Sequence, residues 1–198
     1  MKSTKLLAFL ALSLAAPLAL AAQPASAAPI DNQDPSKFIG SLTSEGFAVL
    51  RSGDKTAARA KFRTMLSQHF AVEAIGERLI RRWAPTITPE QRAAYKAAFP
   101  TFIIGTYADR LFEYANANLK VVRAMPAGGG YDIVTSVAKP GQNPIMTVWS
   151  VQKSESGYKV TNLKVAGVNL SISQAADFDA IIQRKGFDAL IQMMKARG

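Results

Sequence analysis

The sequence predicts an α+β fold, a four-stranded antiparallel sheet packed by N-terminal and C-terminal helices, with an apolar cavity between helices and sheet. Three observations predict it. Apolar residues recur at helical spacing before residue 116 and again after 173, whereas from 119 to 168 they alternate or run β-branched. The extended segments are joined by short turns, which connect antiparallel neighbours. Strands gathered in one block, with helices before and after, place the helices on one antiparallel sheet.

Each element has its own signal. Asp34-Pro35 sets a cap before a proline at the first helical position and opens a helix to about Leu50. Gly53 stops it, and Asp54 caps a second helix carrying Ala57, Ala60, Phe62, Met65 and Leu66. A short third helix, from about Val72 to Trp83, ends at Pro85. Thr88-Pro89-Glu90-Gln91 is a capping-box start, from which the helical pattern runs to about Asn116. Its ~27 residues would span about 40 Å if straight. Pro100 predicts a bend, because it lacks the amide donor and crowds the preceding turn.

The strands are read at Leu119–Met125, Tyr131–Ala138, Ile145–Lys153 and Tyr158–Val168. Between them lie Ala127-Gly128-Gly129-Gly130, Pro140-Gly141-Gln142-Asn143 and Ser154-Glu155-Ser156-Gly157. No helix follows the triple glycine, so it reads as a hairpin turn and not as a phosphate loop. Tyr158 and Val160 alternate on one parity, Leu163 and Val165 on the other; either a bulge or a strand covered on both faces accounts for the slip. Ser173 starts a helix through Ile181 and Ile182, Gly186 breaks it, and Phe187 to Ala196 forms the last.

Lys2 and Lys5, the apolar run Leu6 to Leu20 and the small residues after it read as a secretory signal peptide over residues 1–27, cleaved after Ala21 or Ala27. The run is short of the roughly 18 apolar residues a membrane span needs. Residues 28–198 are then expected to form one exported domain. The chain has no Cys and so no disulfide. Without Lys2 and Lys5, 22 basic residues stand against 14 acidic ones, a net charge of +8. Export argues against nucleic acid as a partner. Anionic head groups, an acidic protein surface, or a basic solvated surface with no specific role all fit that charge.

Catalytic machinery is thin. His69 is the sole His, and without Cys there is no His/Cys metal cluster and no thiol nucleophile. No serine elbow or phosphate loop is present. Asp109 and Glu113, like Glu73 and Glu77, sit four apart on a helical face, but Arg110 and Arg78 adjoin them, as on a solvated helix face. No catalytic residue, metal or cofactor is expected. The more informative stretch is AAFPTFIIGTYADRLFEY, residues 97 to 114, which is apolar beyond a single stripe and therefore needs two covers. One cover is the sheet. The other is either the first helices or a ligand, for which Pro100 would open a gap and Gly105 leave room.

Three runs also carry a resemblance: KFRTMLSQHFAVEAIGERLIRRW, TPEQRAAYKAAFPTFIIGTYADRL and GYKVTNLKVAGVNLSISQAADFDAIIQRKGFDALIQMMK. Together they resemble the MlaC family of periplasmic phospholipid-binding proteins, also called the toluene-tolerance family. The most specific parts are Thr88 to Arg92, Thr106 to Leu111, and Gly167 to Leu170 leading to Phe178 and Ile181 to Arg184. Departures from the family pattern stand at Ala71, Val148, Asn162 and the segment Leu79 to Trp83. A related branch, HpnM, is associated with hopanoid lipids. The resemblance implies a monomeric, non-enzymatic periplasmic shuttle. Its partners would be a phospholipid, an outer-membrane lipoprotein complex and an inner-membrane MCE-domain ABC transporter, in a system that maintains outer-membrane lipid asymmetry.

An exposed methylene costs ~0.8 kcal/mol in water, so a two-chain lipid requires a deep apolar lining and no catalytic group. The lining is expected at Phe99, Phe102, Ile103, Tyr107 and Leu111 on the long helix and at Val137, Val148, Val160 and Val165 on the sheet. The competing expectation is an exported enzyme or small-molecule-binding domain of NTF2-like architecture that holds a polar ligand in the same place.

Overall fold

The computed structural model describes residues 29–198; the leader read over residues 1–27 lies outside them. The helices before the sheet are α1 (Pro35–Arg51), α2 (Lys55–His69), α3 (Val72–Leu79) and α4 (Pro89–Phe112). The strands are β1 (Asn118–Ala127), β2 (Gly130–Ala138), β3 (Ile145–Ser154), β4 (Gly157–Val165) and β5 (Val168–Asn169), followed by α5 (Leu170–Lys185) and α6 (Phe187–Arg197).

The start signals act as the sequence implies. The Asp34 and Asp54 carboxylates accept from the amides of Lys37 and Ala57. Thr88 and Gln91 cap one another reciprocally, each side chain accepting from the other's backbone amide. Helix α4 stays continuous through Pro100 and ends at Phe112, short of Asn116; a turn then brings the Ala117 amide onto the Tyr114 carbonyl at 2.8 Å.

The sheet is a meander in the order β1-β2-β3-β4-β5, all pairs antiparallel, with five strands where the sequence reading counts four. The segment read as one strand to Val168 folds back at Ala166 (φ 50°) and Gly167 (φ 81°), a two-residue turn whose left-handed backbone matches the strand twist. The returning β5 is only two residues long, too short for any periodicity to mark it.

The phase slip in β4 is a bulge. Ser150 pairs with Asn162 and Val151 with Val160, so Thr161 is the extra residue. It brings Tyr158, Val160, Leu163 and Val165 to one face. A second bulge at Val122 interrupts the β1–β2 pairing. Beyond β4, Phe70 bridges Val160 in parallel, and the Ala71 amide donates to the Val160 carbonyl at 2.9 Å.

Two hydrophobic cores result. The first joins α3, α4, α5 and α6 around Tyr95, Phe99, Phe102, Phe178, Leu190 and Met194. The second joins α1 and α2 to the sheet around Phe38, Ile39, Met65, Ile133, Val151 and Val160. The main neighbours of α4 are α6, α2 and α3, and no strand is among them.

Gly105 belongs to the first of these contacts. A Cβ there would run into the Arg197 carbonyl, with Gly198 Cα 3.4 Å away, so the C-terminal end of α6 occupies the notch. The room that the sequence reading assigns to a ligand is taken by protein. Gly105→Ala is therefore expected to destabilise. At an open helical position the same change would stabilise by about 1 kcal/mol, whereas inserted volume in packed surroundings costs ~1–3 kcal/mol. Chemical denaturation reads the sign, and a gain in stability would show that α6 does not fill the notch.

Candidate functional site

Residues directly opposite in an antiparallel ladder share a face. The row Tyr131–Val151–Val160 belongs to the second core, which fixes its face as the one under α1 and α2. The row Val121–Thr135–Thr147–Val165–Val168 crosses all five strands on that same face. Beside it lie Leu119–Val137–Ile145 and Ile133–Trp149–Leu163. The opposite face mixes polar and apolar residues: the Ser150 hydroxyl donates to Asp132 at 2.7 Å and Ser171 to Asn162 at 2.8 Å, and Val134 is buried there beside Val148.

Helix cover is uneven along the inner face. Ile133, Val151 and Val160 are buried under α1 and α2, whereas Leu119, Val137, Ile145, Leu163 and Val165 are half-buried and belong to neither core. Val168 is 52% exposed. This apolar, half-covered stretch of sheet is the candidate site. Within it sits one polar feature: the Trp149 indole N–H reaches both Thr147 Oγ1 (3.1 Å) and Thr135 Oγ1 (3.2 Å), and the two hydroxyls are 2.5 Å apart.

The nine residues expected to line the site fall into different places. Val137 and Val165 stand on the half-covered face. Val160 shares that face but is buried in the second core. Val148 pairs with Val134 and Lys164 on the opposite face, because the register set by the bulge puts odd-numbered β3 residues inward. Phe99 and Phe102 are buried in the first core, Phe99 stacked on Tyr95 and Phe102 tilted against Phe178. Ile103 is half-buried against the same core. Tyr107 is half-buried and donates its hydroxyl to Gln174 of α5 at 3.1 Å; burial and then the Asp177 carboxylate raise its pKa. Leu111 is 41% exposed. Sequence reasoning missed Leu119, Ile145 and Leu163, which only the cross-strand register reveals.

A concavity of about 200 Å³ lies between α1 and the start of β1, lined by Thr43, Phe47, Arg51, Ala117 and Leu119 among others. Another, of about 570 Å³, lies between α5 and α6, where Ile181, Arg184, Lys185 and Met193 line it. None of the nine residues lines either. Near the α1 end, Lys55 lies 5.7 Å from the centre of the Phe112 ring, and Lys139 lies over Tyr114 and 3.6 Å from Glu113. Among the described residues no group of three or more His, Cys, Asp or Glu could hold a metal ion, and no helix is long and apolar enough to cross a membrane.

The family model described as MlaC protein matches residues 41–196. Among solved structures, the fold is similar to that of a phospholipid-binding protein from Ralstonia solanacearum determined in complex with a phospholipid. The TM-score is 0.66 at 22% identity, over 80% of this chain and 93% of that one. At that identity the likeness is one of fold.

Proposed function

We infer the function from one premise: the chain belongs to the MlaC family, whose model spans residues 41–196. On that premise the protein is a carrier of phospholipid, with acyl chains against the half-covered face of the sheet and the head group outside. The observation that carries this reading is the patch of Leu119, Val137, Ile145, Leu163 and Val165, apolar side chains that neither core completes. Apolar surface left partly wet inside a fold has a favourable use only when something apolar covers it. The phospholipid held by the Ralstonia solanacearum relative is a ligand of that kind.

Two separate cores support the reading mechanically. The two cores share no residue, and on this reading the seam between them widens for acyl chains. In this scheme Val137 and Val165 form the sheet wall, and Ile103, Tyr107 and Leu111 are the residues of α4 that meet the chains. Phe99, Phe102 and Val160 hold the two bodies in shape. Export through the leader, a periplasmic location and shuttling between an outer-membrane lipoprotein complex and an inner-membrane MCE-domain transporter complete the proposal.

Mass spectrometry of organic extracts of the purified protein tests it. The expected result is diacyl phospholipid in near-stoichiometric amount. Protein isolated without detergent that carries no lipid, and that binds a polar metabolite, would overturn the carrier reading in favour of a small-molecule-binding domain.

A further inference from the structure

The polar triangle on the apolar face has a proton to spare. Trp149 Nε1 carries one hydrogen, shared between two oxygens, and the Thr135 and Thr147 hydroxyls carry one each. The short contact between the hydroxyls uses one of these, whichever is the donor. The other hydroxyl proton has no further acceptor among the described residues. Either hydroxyl can donate in that contact, and because Thr135 is 0% exposed, the arrangement in which it donates to Thr147 is the one that leaves the spare proton where a ligand can reach it. In that arrangement the proton left over is that of Thr147, which keeps 6% exposure on the inner face. Among the described residues no backbone carbonyl accepts from either hydroxyl, and a buried donor without an acceptor is a rarity that calls for a partner.

The surroundings select the partner. Thr147 pairs across to Val165 and stands between Ile145 and Trp149, with Val137 and Leu163 in the adjoining rows. No cationic side chain shares this patch of the face, so a phosphate or carboxylate would arrive unpaired, which is costly. A neutral oxygen acceptor on an otherwise apolar molecule fits. We propose that Thr147, oriented by Thr135 and Trp149, donates a hydrogen bond to an ester carbonyl at the root of a bound acyl chain, so that the site selects acyl esters over hydrocarbons of equal bulk. This rests on the phospholipid-carrier reading and adds the chemical class that the site distinguishes.

Delipidated full-length mature protein would be titrated with a diester phosphatidylcholine and with its dialkyl ether analogue, which has the same chains and head group but no carbonyls. The wild type is expected to prefer the ester about fivefold, the usual net value of one hydrogen bond. Thr147→Val and Thr135→Val should bring that ratio to about one, and Thr147→Ser should retain the preference. A ratio of one in the wild type, as when water alone satisfies Thr147, overturns the inference and leaves the carrier reading standing. An unchanged ratio in both valine variants overturns it as well. Failure of the wild type to bind either lipid removes the carrier reading and this inference with it. The wild-type ratio decides even where a variant does not fold.

Discussion

Val165→Glu is expected to strip the protein of lipid while leaving it folded. Val165 stands opposite Thr147 and Val168 on the half-covered face, where its side chain is half-buried and outside both cores. A glutamate there can turn its carboxylate to water in the empty protein, so the stability change should stay near ~1 kcal/mol. Acyl chains could then seat only by desolvating that carboxylate. A penalty of about 3 kcal/mol corresponds to a ~100-fold loss of affinity. Lipid phosphorus per mole of purified protein should fall to background. The melting temperature must be compared with delipidated wild type, since bound ligand itself raises apparent stability. Retention of lipid at the wild-type level would show that this face is not the wall.

Phe102→Ala should have the opposite signature. Phe102 is 1% exposed, its ring centre lies 5.6 Å from that of Phe178, and it belongs to the core of α3 to α6. Removing a buried phenyl ring leaves a cavity and costs ~3–5 kcal/mol. For a chain of this length that lowers the melting temperature by about 10 °C or more. A pocket-lining Phe102, as the sequence reading has it, would instead allow truncation with little loss of stability. Calorimetry on delipidated protein separates the two outcomes, and a melting temperature within about 3 °C of wild type would return Phe102 to the site.

Local chemistry was readable because it depends on neighbours in sequence. Asp34, Asp54 and the Thr88–Gln91 box each satisfy amides three residues away, so a short string of letters contains both donor and acceptor. The bulge was half readable. The parity change between Val160 and Leu163 announces it, but only the pairing with β3 shows that Thr161 is the surplus residue. That same register was needed to place Val148, and a strand's faces exchange with a slip of one residue.

Gly105 was misread because its partner is more than ninety residues away. A helical glycine looks alike whether a ligand or another helix approaches it, and here the end of α6 does. The aromatic wealth of α4 was likewise real, and of the covers read for it the first helices α2 and α3 do pack on it whereas no strand is among its main neighbours. Phe99 packs on Gly76 of α3, before it in the chain, and Phe102 on Phe178 of α5, after it. Thr135 and Thr147 escaped notice because two threonines on alternating strands pass for solvent-facing positions until the ladder sets them opposite one another.

The bridge of Phe70 to Val160 has a consequence for how this protein behaves among its own copies. An open β4 edge would offer its unpaired amides and carbonyls as a template on which a second molecule could grow a strand, the usual beginning of aggregation. Phe70 and Ala71 pair with that edge at Val160 and β5 at Lys164 and Val165, while β1, at the far side, is broken by its bulge and bears the exposed cations Lys120 and Arg123. On the carrier reading proposed above, the protein would spend part of each cycle empty, with its apolar face least protected. Pairing at these points leaves less of the β4 edge free to template a second copy in that state.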